Sequence, residues 1–206
     1  MKQNMRKRTP LAVLLALCLA MQLCVPAAMA SNRLMRAGDA AIAQIEEEEG
    51  FRAEKYSSGG KWYIGYGTEC GAADYPEGIT REEAELLLMS KVEAYEAKLN
   101  DFFGRYDVTP TQGQFDALIC FSYNFGTGWM SGTSDLVKIA RGEKDATRLE
   151  VAHAFGEWCH SGGQAQAGLA DRRLQEAAIY LDDDTRAAEN EFAYLIINVE
   201  SGTSYE

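Results

Sequence analysis

Four consecutive glutamates, Glu46 to Glu49, stand directly before Gly50 and lead into FRAEKYSSGGKWYIGYGTECG, a segment dense in tyrosine and glycine. Carboxyl groups can act as general acids or bases, and aromatic rings beside flexible backbone can shape a ligand cleft. Ile42 and Ile45 repeat at three and Glu49 falls four further on, so the three share one face of a helix over 39–49 that Gly50 ends. Glu49 is then the carboxyl at the helix C-terminus, where the negative end of the macrodipole disfavours a further negative charge. Like charge from its three neighbours and burial against the aromatic segment act in the same direction, toward a group that keeps its proton as a general acid must. Glu46, Glu47 and Glu48 fan around the helix and read as solvated charge. Taken alone, a Glu-Gly at a helix end is an ordinary surface cap.

The elements that would position Glu49 follow along the chain. Residues 51–75 alternate Tyr56, Trp62, Tyr63, Ile64 and Tyr66 with glycines and serines, which predicts short twisted strands with Gly59-Gly60 as the hairpin turn. Thr80 and Glu83 form a capping box, and Ala84, Leu87, Leu88, Val92, Tyr95 and Leu99 make one apolar stripe on a long helix. Thr109-Pro110-Thr111 opens a largely apolar helix through Phe115, Leu118, Ile119 and Tyr123, stopped by Gly126 and Gly128. Shorter helices fit 134–141, 145–157 and 168–181. The expected fold class is α+β: a small β hairpin subdomain beside a mainly helical lobe, with a cleft between them.

The first thirty residues read differently. Lys2, Arg6, Lys7 and Arg8 precede an apolar run from Leu11 to Val25, then Pro26 and Ala28-Met29-Ala30. That is the layout of a secretory signal peptide cleaved after Ala30, and the run is short for a membrane span of about 20 residues. The expected product is secreted, with no stable membrane anchor after cleavage. It would carry 16 basic against 31 acidic residues, a net charge of −15, which excludes nucleic acid as a partner. Cys70, Cys120 and Cys159 remain. Cys120 lies in an apolar run, whereas Cys70 and Cys159 both sit beside glycine-rich loops and could pair as a disulfide. The expected boundaries are 1–30 for the signal, 31–181 for the domain and 182–206 for an acidic tail.

The order of these features resembles the phage-type lysozymes, or endolysins, of glycoside hydrolase family 24. The matching pieces are Ile42-x-x-Ile45-x-x-x-Glu49-Gly50, Tyr56, Ile64-Gly65-Tyr66-Gly67-Thr68, the helix opened by Ile79-Thr80, Gln114 to Leu118 running into Tyr123-Asn124-Phe125-Gly126, and Gly168-Leu169 with Arg172-Arg173 and Glu176. The resemblance spans roughly 38–181. It implies cleavage of the β-1,4 bond between N-acetylmuramic acid and N-acetylglucosamine in peptidoglycan glycan strands, without a cofactor, by a monomer. It implies Glu49 as the acid that protonates the leaving oxygen. Tyr56, Tyr66 and Gly67 would bind substrate from the hairpin side and Tyr123 and Asn124 from the helical side. Trp158 has two readings, far cleft wall and core.

The chain departs from that family at two positions. Where typical members carry an Asp or Cys after the catalytic Glu, this chain has Ser58; where they carry a Thr before the Ile-Gly, it has Tyr63. A serine hydroxyl orients water but is a poor base, whereas inverting hydrolysis uses a second carboxylate. Glu69, with Glu54 and Asp74 nearby, could supply one. Alternatively a single Glu serves as acid then base while the muramyl 6-hydroxyl attacks, as in lytic transglycosylases. A glycan-binding protein without catalysis is the third reading. His153 and His160 are isolated and make no metal site, and the Asp182–Asp184 run lacks calcium-loop spacing. Arg172 and Arg173 read as surface or helix-packing ion pairs, with a bond to Glu49 as the other possibility.

Overall fold

Local signals in the chain set most element boundaries. In the computed structural model, which describes residues 34–182, helix α1 runs Asp39–Glu49 and stops at Gly50, whose φ of 62° favours glycine. The expected signal segment, and the tail beyond Asp182, lie outside the described residues. Strands β1 (Arg52–Ser58), β2 (Lys61–Gly65) and β3 (Thr68–Cys70) form an antiparallel sheet in sequence order, with Gly59-Gly60 at the first turn. The sheet's register brings Tyr56 opposite Tyr63, Tyr63 opposite Glu69, and Ser58 opposite Lys61. Directly opposed residues point to the same side of a sheet, so these five side chains share one face. Ile64, of the other parity, is fully buried in the core.

Helix α2 (Arg81–Tyr106) starts at the Thr80–Glu83 capping box and packs against β2, β3 and the next helix. At 1.5 Å per residue it is about 39 Å long, enough to serve both the sheet and the helical lobe. Ala84, Leu88, Val92 and Leu99 of its stripe are buried, with Leu87 and Tyr95 partly so. Gly65 lies where this helix crosses the sheet: a Cβ there would stand 3.0 Å from the Ala84 Cβ, at a φ of 62°. Helix α3 (Gln112–Phe125), capped by Thr111 and Gln114, is central; Phe115 to Tyr123 are all buried. Around it lie a 3₁₀ turn (Gly128–Ser131), α4 (Asp135–Ala140), α5 (Arg148–Gly156) and α6 (Ala167–Tyr180). A two-stranded hairpin, β4 (His160–Ser161) with β5 (Gln164–Ala165), joins α5 to α6 and had no sequence expectation, since two residues are too short to show a period.

The disulfide expectation is overturned. Cys70, Cys120 and Cys159 are free. Cys70 is half-buried on β3, while Cys159 is fully buried beyond α5 with its Sγ 3.6 Å from His160 Nδ1. A shared glycine-rich setting did not bring the two thiols together.

Candidate active site

Glu49 ends α1 with its side chain 21% exposed, and Arg172 of α6 reaches it with Nη1 2.8 Å from Oε1. Arg172 is itself buried, so the pair is much less screened than a surface ion pair. The dipole and neighbouring glutamates are therefore joined by a guanidinium, the second of the two expectations for Arg172 and Arg173. Glu48 also departs from expectation. It is half-buried and accepts from Gln44 at 3.2 Å, and burial pushes its carboxyl above the usual range while Arg172 opposes.

Behind Arg172 the lobe holds a second carboxylate. Glu176 is fully buried, with Arg173 Nη2 at 2.6 Å and Arg172 Nε at 3.4 Å from its Oε1. Burial pushes this carboxyl up to about 7 against the pull of Arg173 and Arg172. The spacing of 172, 173 and 176 places all three within one turn of α6. Arg173 continues the chain of contacts, donating to Asn124 Oδ1 at 3.3 Å and lying 4.8 Å from the Phe121 ring centre.

A cleft of about 690 Å³ opens beside Glu49, with Tyr63, Gly67 and Glu69 on its sheet side and Lys91, Tyr123 and Phe125 on its helical side. Gly67 belongs to both the cleft and the acid. A Cβ at this residue would stand 3.1 Å from Glu49 Oε2, and its φ of 72° independently favours glycine. The walls are tied together by Tyr123, whose hydroxyl donates to the Tyr66 carbonyl at 2.7 Å; burial pushes that phenol's pKa upward. Tyr56 stacks on Tyr63 with ring centres 5.7 Å apart, and it also feels the Glu49 charge.

Several expected site residues fall elsewhere. The Tyr66 side chain is buried and its hydroxyl accepts from Arg81 at 2.7 Å, so it supports the wall instead of facing ligand. Trp158 packs edge-on against Phe121 and Phe125, each with ring centres 5.4 Å away, which decides for the core reading. The exposed aromatic at the cleft is Phe125, in front of Trp158. Ser58 is exposed at the hairpin tip, on the same sheet face as Tyr63. Glu69 shares that face but is held by Lys61 at 2.8 Å in an exposed pair. Asp74 accepts from the Gly71 amide at 2.7 Å and serves a turn, and Glu54 lies beside Gly78. Asn124 is exposed at the cleft.

Lys91 was missed. It sits on α2 between Leu87 and Tyr95, and the signal was a single charge at four-residue spacing inside an apolar stripe.

Comparison with known proteins agrees with this architecture. Residues 46–176 match the family model for phage lysozyme. The chain is 35% identical to the endolysin of Bacillus phage PZA over 149 residues, covering 71% of this chain and 55% of that protein. It spans little more than half the length of the curated endolysins it matches. The endolysin from Escherichia coli O157:H7 phage FAHEc1 superposes with a TM-score of 0.60 at 32% identity, covering 72% of this chain and 94% of that one. The muramidase domain of SpmX from Asticaccaulis excentricus gives 0.57 at 28%, covering 71% and 97%. The family match takes in Glu49, the sheet, the long helix and the paired arginines alike, and the fold is the lysozyme-like one; the chain belongs to the phage lysozyme family.

Proposed function

We propose that the protein degrades peptidoglycan as a muramidase, cleaving the β-1,4 bond between N-acetylmuramic acid and N-acetylglucosamine with Glu49 as general acid. One observation carries the reading: the Glu49 carboxyl is gripped at Oε1 by buried Arg172, while Oε2 lies against cleft residue Gly67. Held this way, the group is oriented toward the cavity before substrate arrives, which is how positioning lowers a barrier. Family membership, with relatives that are endolysins and a muramidase domain, supports the same substrate. Tyr63 and Phe125 offer ring faces to sugars, and Asn124 offers an amide to their hydroxyls. Export ahead of this activity follows from the signal-type layout at 1–30. N-terminal sequencing of protein recovered from the medium should begin at Ser31.

A second reading rests on a specific observation. Ser58 replaces the usual acid, and Glu69, the nearest alternative on that sheet face, is engaged by Lys61. A transglycosylase needs only Glu49. The carboxyl gives its proton to the leaving O4 as the C1–O4 bond breaks, then takes one from the muramyl 6-hydroxyl as C1–O6 forms. Purified peptidoglycan incubated with wild type and Glu49→Gln, and analysed by mass spectrometry, separates these cases. Muropeptides with free reducing ends, absent with the variant, are the expected result and direct the next substitutions to Glu69 and Ser58. Products lighter by one water would instead establish the transglycosylase. Intact walls from several sources would overturn catalysis and leave a glycan-binding protein.

A further inference from the structure

The cleft contains a cation that the mechanism above does not use. Lys91 Nζ stands 3.8 Å from the centre of the Tyr123 ring and 3.4 Å from the Gly67 carbonyl oxygen. It is half-buried, and burial lowers its pKa, with the Glu49 charge opposing. Among the described residues no carboxylate forms an ion pair with it. The other cleft lysine, Lys61, is paired with Glu69, and elsewhere on this acidic chain Lys138 and Lys144 are paired with Asp135. A partly desolvated ammonium with a ring below it and one carbonyl beside it has donor capacity left over, since an ammonium carries three N–H groups. In a protein with 31 acidic residues, an unpaired cation facing the cavity at the acid's own wall is suited to an anion that arrives with the ligand.

We infer that Lys91 is a specificity-determining residue that takes a carboxylate of the substrate's muramyl unit, setting muramyl-containing strands apart from neutral N-acetylglucosamine polymers. The inference rests on the proposed muramidase reading. The carboxylate has two sources: the lactyl ether of the sugar, where the stem peptide has been removed, or the stem peptide's own acids. Either presents the same charge-assisted partner to Nζ. A surface-like pairing of this kind changes affinity by about tenfold or less, because solvent still screens one side.

The test uses the full-length protein in a Glu49→Gln background, so that ligands are bound and not consumed, and measures dissociation constants by calorimetry. The probes are tetrasaccharides: chitotetraose, the alternating N-acetylglucosamine–N-acetylmuramic acid form without peptide, and the same form bearing stem peptides. The expected result is tighter binding of a muramyl-containing probe than of chitotetraose by about tenfold. Adding Lys91→Met should shrink that gap to less than about twofold without weakening chitotetraose binding, and Lys91→Arg should restore it. A preference already present without peptide assigns the lactyl carboxylate; one that needs the peptide assigns the stem. Equal weakening of all three probes by Lys91→Met would overturn the inference and make the lysine a support for the Gly67 wall. If the folded Glu49→Gln protein binds none of the probes, the muramidase reading fails first and the inference with it.

Discussion

The two walls of the cleft both carry ion pairs, but they carry them under opposite conditions. On the sheet wall Lys61 and Glu69 meet with side chains 57% and 55% exposed, on strands a few residues apart. On the helical wall Arg173 and Glu176 meet with no exposure at all, and Arg172 links them to Glu49. In water, screening and side-chain entropy cancel most of the attraction, whereas in the interior the loss of one partner strands the other. A basic side chain with a glutamate therefore decorates one wall and holds up the other. Glu49 is placed on the boundary, fixed by the buried side and partly open to the exposed one.

Substitutions can break or sharpen this contrast. The largest effect is expected at the boundary itself. Glu49→Gln keeps the shape and a bond to Arg172 but removes the carboxyl to which the proposed function gives the proton transfer, and release of muropeptides should fall by about a thousandfold while the circular dichroism spectrum stays unchanged. Glu176→Ala should cost about 3–5 kcal/mol in urea denaturation, because two buried guanidiniums lose their shared carboxylate. Tyr123→Phe cuts the bond that ties the walls together and should lower stability by about 1 kcal/mol in the same assay, with a larger proportional loss of activity than of stability. Glu69→Gln, by contrast, should leave the unfolding midpoint where it was, since its partner is in solvent.

A small effect is also expected away from the cleft, in the response to acid. Asp135 and Glu150, both bonded to Lys144, are drawn down to about 2 from ordinary values of 3.8 and 4.5, hydrogen bonds from Lys144 to Asp135 and from Thr147 to Glu150 being the first causes. Their folded pKa values lie below the unfolded ones, so their contribution is complete above about pH 4.5 and is lost as pH falls toward 2. Thermal midpoints measured across that window should fall less steeply in Lys144→Ala than in wild type.

Legibility followed the range of the interaction. One end each of α1, α2 and α3 could be read because a cap or a terminal glycine acts within four residues: Gly50 and Gly126 stand where α1 and α3 stop, and the Thr80–Glu83 box where α2 starts. Tyr63 and Glu69 could be named beside the site from their places next to the Ile64-Gly65-Tyr66-Gly67-Thr68 run, whereas their pairing across the sheet came from its register. Tyr66 and Trp158 could not be placed, because an aromatic beside glycine looks the same whether its ring faces ligand or core. Only the arrival of Arg81 at the Tyr66 hydroxyl, and of Phe121 and Phe125 at the indole, decided the two cases. Lys91 was passed over because a lone lysine in an apolar stripe gives no sign of what faces it.

By itself the sequence determined that this chain makes a small sheet between a short acidic helix and a helical lobe, and that the helix ends on Glu49. Each of these depends on residue identity or on spacing within a turn or a strand. Tertiary structure alone decided that Arg172, 123 positions away, grips Glu49, that Gly67 stands against it, and that Lys91 faces the cavity with no carboxylate ion pair among the described residues. Those contacts join elements whose faces meet only when the apolar core closes, and core closure depends on the fit of all the packed side chains together.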